Sequence, residues 1–142
     1  MATEQPKQAE TPEAPELRPL KLYSVLSTPD RLDSHPGYTG KGITIAFLDS
    51  GFYPHPDLVE PNNRILAFMD VTDGGDFLDK GRRPEFWHWH GAQTSVVAAG
   101  NGRLSQGTYR GLAPDAQVVL VQVGKHGKIR DEYITKGIRW VI

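Results

Sequence analysis

The ten residues GITIAFLDSG, positions 42–51, hold an apolar, β-prone run from Ile43 to Leu48, bounded by Gly42 and Gly51 and ending in a carboxylate, Asp49. A short uninterrupted apolar run between glycines is the pattern of a strand covered on both faces, as strands of a parallel sheet are. Two further stretches read the same way: RILAFMDV at 64–71 and AQVVLVQVG at 116–124. Between them, Thr94 to Ala99 is small and apolar and predicts a helix despite its two valines. After the third strand, DEYITKGIRWVI at 131–142 places Tyr133, Ile134, Ile138 and Val141 at helical spacing, with Lys136 and Arg139 free to face water. Ser27 or Thr28 is a candidate N-cap for a short helix before the first strand. Strand, strand, helix, strand and helix define an α/β domain with a largely parallel sheet.

The composition belongs to an ordinary globular chain. Of 142 residues, 38% are apolar and 23% charged, with a net charge of −1, so the basic excess that nucleic acid or an anionic membrane would favour is missing. Neither partner is expected, and oligomeric state is left open. With no cysteine, disulfides, thiolate metal sites and cysteine nucleophiles are excluded. Residues 1–20 are acidic, polar and proline-rich, the composition of a disordered tail, and residues 21–142 form the expected domain. The N-terminus has no apolar core of a signal peptide. As written the chain reads as cytoplasmic, and as secreted if its natural start lies further upstream.

Asp49 stands where an open α/β sheet gathers its functional groups, at the carboxyl end of a strand. An ionised carboxylate there needs donors, either backbone amides of the Ser50–Gly51 turn or an imidazole N–H. The second stretch, WHWHGAQTSVVAAGNG at 87–102, supplies an imidazole, His90, immediately before Gly91 and a small-residue run. If that run is a helix packed on the sheet, its start lies near the strand ends and brings His90 to Asp49. An aspartate holding Nδ1–H fixes the ring and leaves Nε2 to accept a proton from a nucleophile. The blander alternatives are a turn-capping Asp49 and a structural His90. A metal-dependent hydrolase using His88, His90 and aspartates is a third possibility, though two histidines two residues apart are a weak ligand pattern.

ITIAFLDSGFYPHPDL resembles the aspartate motif of the subtilisin-like serine peptidases, HGAQTSVVAAGNG their histidine motif, and YRGLAPDAQVVLVQV the strand that follows. Three motifs in family order make the resemblance specific, and the family's triad runs Asp, His, Ser along the chain. The resemblance implies a three-layer α/β fold with a largely parallel sheet. It also implies a serine endopeptidase acting on polypeptides, with Asp49 orienting His90 and His90 serving as general base and then acid. By the same resemblance GKHGK, 124–128, lines the substrate cleft, which names Gly124, His126 and Gly127 for antiparallel pairing with a peptide. No cofactor is required. Calcium is possible, with Asp57 of the His-Pro-Asp-Leu phrase as its ligand, although GNGRLSQGTYRG does not resemble the family's calcium loop.

Two departures stand out. Ala92 occupies a usual threonine position, and neither the nucleophile motif Gly-Thr-Ser-Met-Ala nor the oxyanion asparagine occurs. The six serines are Ser24, Ser27, Ser34, Ser50, Ser95 and Ser105, and none has the nucleophile's setting. The expectation is therefore the N-terminal part of a peptidase domain, interrupted after the third motif and inactive alone, or alternatively a non-catalytic form that binds peptides.

Overall fold

The computed structural model describes residues 25–74 and 85–142; the tail expected over 1–20 lies outside them. The described residues begin with a short helix α1 (Thr28–Arg31) capped by Ser27, then β1 (Thr44–Asp49), α2 (Pro56–Val59), β2 (Ile65–Asp70) and α3 (His88–Ala99). A 3₁₀ turn (Arg103–Ser105) leads to β3 (Gln117–Gln122), the two-residue strands β4 (Gly124–Lys125) and β5 (Lys128–Ile129), and α4 (Asp131–Val141).

β3 inserts between β1 and β2, and all pairings in this sheet are parallel. Phe47, Leu120 and Phe68 lie in one cross-strand row, as do Asp49, Gln122 and Asp70. The central position explains the burial: Val118, Leu120 and Val121 are fully enclosed. The expectation of full burial on both faces holds for β3 but not for β1, whose residues are only half-buried and whose first, Thr44, is exposed. In the described sheet β1 is an edge strand, so only one side of its backbone is covered.

Alternation along the strands sorts the two helices onto opposite faces. Val118 and Leu120, with Phe47 beside them, pack in one cluster with Ala99 and Val96 of α3, joined by Phe52, Leu58 and Ile65. The intervening residues Leu48 and Val121, together with Val123, lie against Gly137 of α4. Helix, sheet, helix is the three-layer arrangement. On α3 the buried side is Gly91, Ala92, Ser95 and Ala99, whereas Val97 is 58% exposed, so the valines expected inside are only partly there. Arg64 joins β2, α2 and β3 by donating Nη1 to Ala116 O (2.8 Å) and Nη2 to Asp57 O (2.6 Å). Half-burial pushes its guanidinium pKa down against the opposing pull of Asp115 and Asp57. No described helix is long and apolar enough to cross a membrane.

Candidate active site

Asp49 closes β1, and its carbonyl accepts the Val123 N–H at 2.8 Å, which fixes the strand end against the chain leaving β3. Four polar groups approach its carboxylate, two of them hydroxyls whose single proton is shared with a second acceptor, Trp87 O for Ser50 and Gly91 O for Thr94. Oδ1 accepts the Ser50 N–H (2.6 Å) and lies 3.1 Å from Ser50 Oγ; Oδ2 lies 3.3 Å from Thr94 Oγ1. His90 Nδ1 is 2.9 Å from both oxygens. An ionised carboxylate only accepts, so the proton of this contact sits on Nδ1, and the neutral ring therefore presents a bare, basic Nε2. The side chain of His90 is 54% exposed while that of Asp49 is 13% exposed. The carboxylate is sheltered and the imidazole opens to the outside.

Helix α3 starts at His88, earlier than the Thr94 start expected from sequence, and His90 lies in its first turn. Trp87 at the N-cap offers no side-chain cap; instead the Ser50 hydroxyl reaches Trp87 O at 2.9 Å, linking the helix start to the end of β1. The residue after His90 must be small. A Cβ on Gly91 would stand 2.2 Å from Gly51 O, 2.9 Å from the Phe52 ring and 3.0 Å from Asp49 Cβ. Glycine lets the helix approach the strand end closely enough for the imidazole to meet the carboxylate. Thr94, one turn beyond His90 and so on the same helix face, completes the carboxylate's shell. In the sequence Thr94 is one residue of the small-residue run, and its spacing of four from His90 gains meaning only once the helix is known to start at His88.

Other serines are engaged elsewhere: Ser95 Oγ donates back to Gly91 O or Ala92 O within α3, and no described serine hydrogen-bonds His90. His88 does not join His90. Its buried ring fills the space over Gly51, and its Nδ1 accepts the Glu85 N–H at 3.0 Å. Among the described residues no group of three or more His, Cys, Asp or Glu converges as a metal site would require. Asp57, the residue named for calcium, is a buried carboxylate that accepts the Leu104 N–H at 3.0 Å and so pins the 3₁₀ turn to α2.

The segment named for substrate folds as a hairpin. Gly124 pairs with Ile129 and Lys125 with Lys128, antiparallel, and the turn residues His126 (φ 50°) and Gly127 (φ 73°) both have positive φ, as a type I′ turn demands. β5 thus occupies one edge of this short strand, which the expectation of open pairing did not foresee. A Cβ on Gly124 would fall 2.6 Å from Ser50 Cα, and the His126 ring meets Trp87 edge-on at 5.5 Å. Gly127 passes beside Trp87 as well. The hairpin therefore rests on Ser50, next to Asp49, and on Trp87, the N-cap of α3. Trp89, half exposed, meets the His90 ring edge-on at 5.3 Å.

In the β1-β3-β2 parallel sheet, a strand-end aspartate thus holds a histidine on the first turn of the next long helix. The chain belongs to the subtilase family, whose family model matches residues 40–142. It is similar to Serine protease AprX of Bacillus subtilis, 37% identical over 105 residues covering 73% of this chain and 22% of that protein. It is also similar to the Major intracellular serine protease of the same organism, 32% identical over 75% of this chain and 32% of the relative. Minor extracellular protease Vpr is 32% identical over 72% of this chain and 12% of its own length. The chain thus spans a third or less of the length of these relatives, which are serine proteases or proteases by name.

Proposed function

We propose that residues 21–142 are the aspartate–histidine portion of a serine endopeptidase domain, with Asp49 and His90 as two members of its triad. The observation that carries this reading is the contact of His90 Nδ1 with both Asp49 oxygens at 2.9 Å, leaving Nε2 on the open side of the ring. In the proposed reaction Nε2 takes the proton of a serine hydroxyl as its oxygen attacks the scissile carbonyl. The resulting imidazolium is stabilised by Asp49 and returns the proton to the leaving amine. Ser50 and Thr94 hold the carboxylate in place and take no part in proton transfer. The attacking serine and the oxyanion donors come from outside residues 25–74 and 85–142. Without them the described portion orients a base but has no acyl acceptor, and it is inactive by itself.

The test is complementation. Chain 1–142 is refolded with the separately produced serine-bearing remainder of Serine protease AprX, assembly is verified by size exclusion, and hydrolysis of a chromogenic peptide anilide is followed. The expected result is peptidase activity that His90→Ala reduces by about 10³-fold or more. An assembled complex whose activity is indifferent to His90→Ala would overturn the assignment.

A further inference from the structure

Beside the β4–β5 hairpin lies a cavity of about 480 Å³ lined by Lys125, His126, Lys128, Arg130 and Tyr133. Its wall carries three permanent cations, one histidine and one aromatic ring, and no carboxylate. Lys125 and Arg130 have partners, Asp73 at 2.5 Å and Glu132 at 3.5 Å, but both pairs are solvent-exposed and hold their cations loosely. Lys128 makes no ion pair among the described residues. It also stands directly opposite Lys125 in the antiparallel ladder, where two like charges face each other across a hairpin of only two pairs. Such a pair is unfavourable by itself; Asp73 offsets it at Lys125, and Lys128 is the cation left to attract a further anion. The hairpin that carries this charge rests on Ser50, the neighbour of Asp49, through Gly124 and on Trp87 through His126.

We propose that this cavity receives the carboxylate of an aspartate or glutamate side chain of a polypeptide bound along the hairpin, so that the protein selects acidic peptides. The inference rests on the peptidase reading given above and adds a substrate class to it. Lys128 is the main electrostatic anchor, with Arg130 and Lys125 shared between their own carboxylates and the ligand, and Tyr133 supplying an apolar wall for the side-chain methylenes. A nucleic acid is the less fitting occupant. Asp73, Asp131 and Glu132 border the cationic cluster and prevent a continuous basic track, and the whole chain is net acidic.

The experiment uses chain 1–142 and fluorescein-labelled octapeptides that differ only in a central Glu-Glu, Gln-Gln or Lys-Lys pair, read by fluorescence anisotropy at low and high salt. The Glu-Glu peptide is expected to bind at least about tenfold tighter than the Gln-Gln peptide at low salt, with the difference collapsing at high salt. Lys128→Glu should abolish the preference, and Arg130→Glu should weaken it. Lys41→Glu, the same charge change at an exposed position beyond the far end of β1, should leave it intact. Equal binding of the Glu-Glu and Gln-Gln peptides, an equal effect of Lys128→Glu and Lys41→Glu, or tighter binding of a thymidine oligonucleotide than of the Glu-Glu peptide would each overturn the proposal. Complementation that succeeds while no acidic preference is found would sink the pocket alone, whereas an acidic preference with inert complementation would sink the peptidase reading.

Discussion

Gly91→Ala tests the link between sequence and site most directly, because one methyl group separates two opposed effects. Alanine is the better helix former by about 1 kcal/mol, so propensity predicts stabilisation. The geometry predicts the reverse. The new Cβ would lie 2.2 Å from the Gly51 carbonyl oxygen, more than about 1 Å inside ordinary van der Waals separation, and the atom it meets is backbone, which cannot rotate aside. Phe52 and Asp49 Cβ close the remaining directions. The helix must therefore move off the strand end by about 1 Å, an overpacking cost of about 3 kcal/mol that leaves a net loss of about 2 kcal/mol after the propensity gain. Urea unfolding followed by circular dichroism reads the first consequence as a lower midpoint with unchanged slope. Proton NMR reads the second: the His90 Nδ1–H resonance, held downfield by Asp49, should shift upfield or vanish as the ring leaves the carboxylate. In the complemented enzyme a 1 Å misplacement should cost about 10²-fold in activity. A variant with an equal or higher midpoint and an unmoved resonance would show that the close approach at Gly91 does not govern the site.

Asp49→Asn should preserve the fold but invert the imidazole's hydrogen-bond logic, lowering complemented activity by about 10⁴-fold with little change in the urea midpoint. Thr94→Val removes a donor to Asp49 while keeping shape. It should cost about 1 kcal/mol in stability and less than tenfold in activity, measured by the same two assays. Arg64→Met strips the Ala116 and Asp57 carbonyls of their charged donor and is expected to destabilise by about 2–3 kcal/mol in urea titration. Asp57→Ala leaves the Leu104 N–H without its acceptor and should lower stability by about 1–3 kcal/mol.

The three strands were legible because each is a bounded apolar run, and their observed limits fall within a residue or two of those runs. What the runs could not disclose is order. Ile43–Leu48 and Val118–Val121 look alike as strings, yet the later strand is the enclosed one because it inserts between the two earlier ones, and burial follows position in the sheet. The start of α3 escaped for a local reason: Trp87 is not a capping residue, and the helix is tied down instead by Ser50, distant in sequence. The Asp49–His90 pairing was readable from chemistry and motif order together. Thr94 was not, because a threonine among alanines and valines reads as filler until the helix face is known. The β4–β5 hairpin is too short for periodicity to register, and only the His126–Gly127 pair hinted at its turn.

The insertion of β3 between β1 and β2 also dictates a timetable. The two earlier strands share no hydrogen bonds, so during synthesis both wait as apolar, unpaired ribbons until residues 117–122 have left the ribosome and can bridge them. Such non-local parallel pairing is slow, and the waiting chain is exposed to misassociation. Because Val123 closes onto Asp49 only after that bridging, the carboxylate acquires its final position late, when most of the described chain has already emerged. The order of strands thus delays the Asp49–His90 contact until the sheet that restrains it exists.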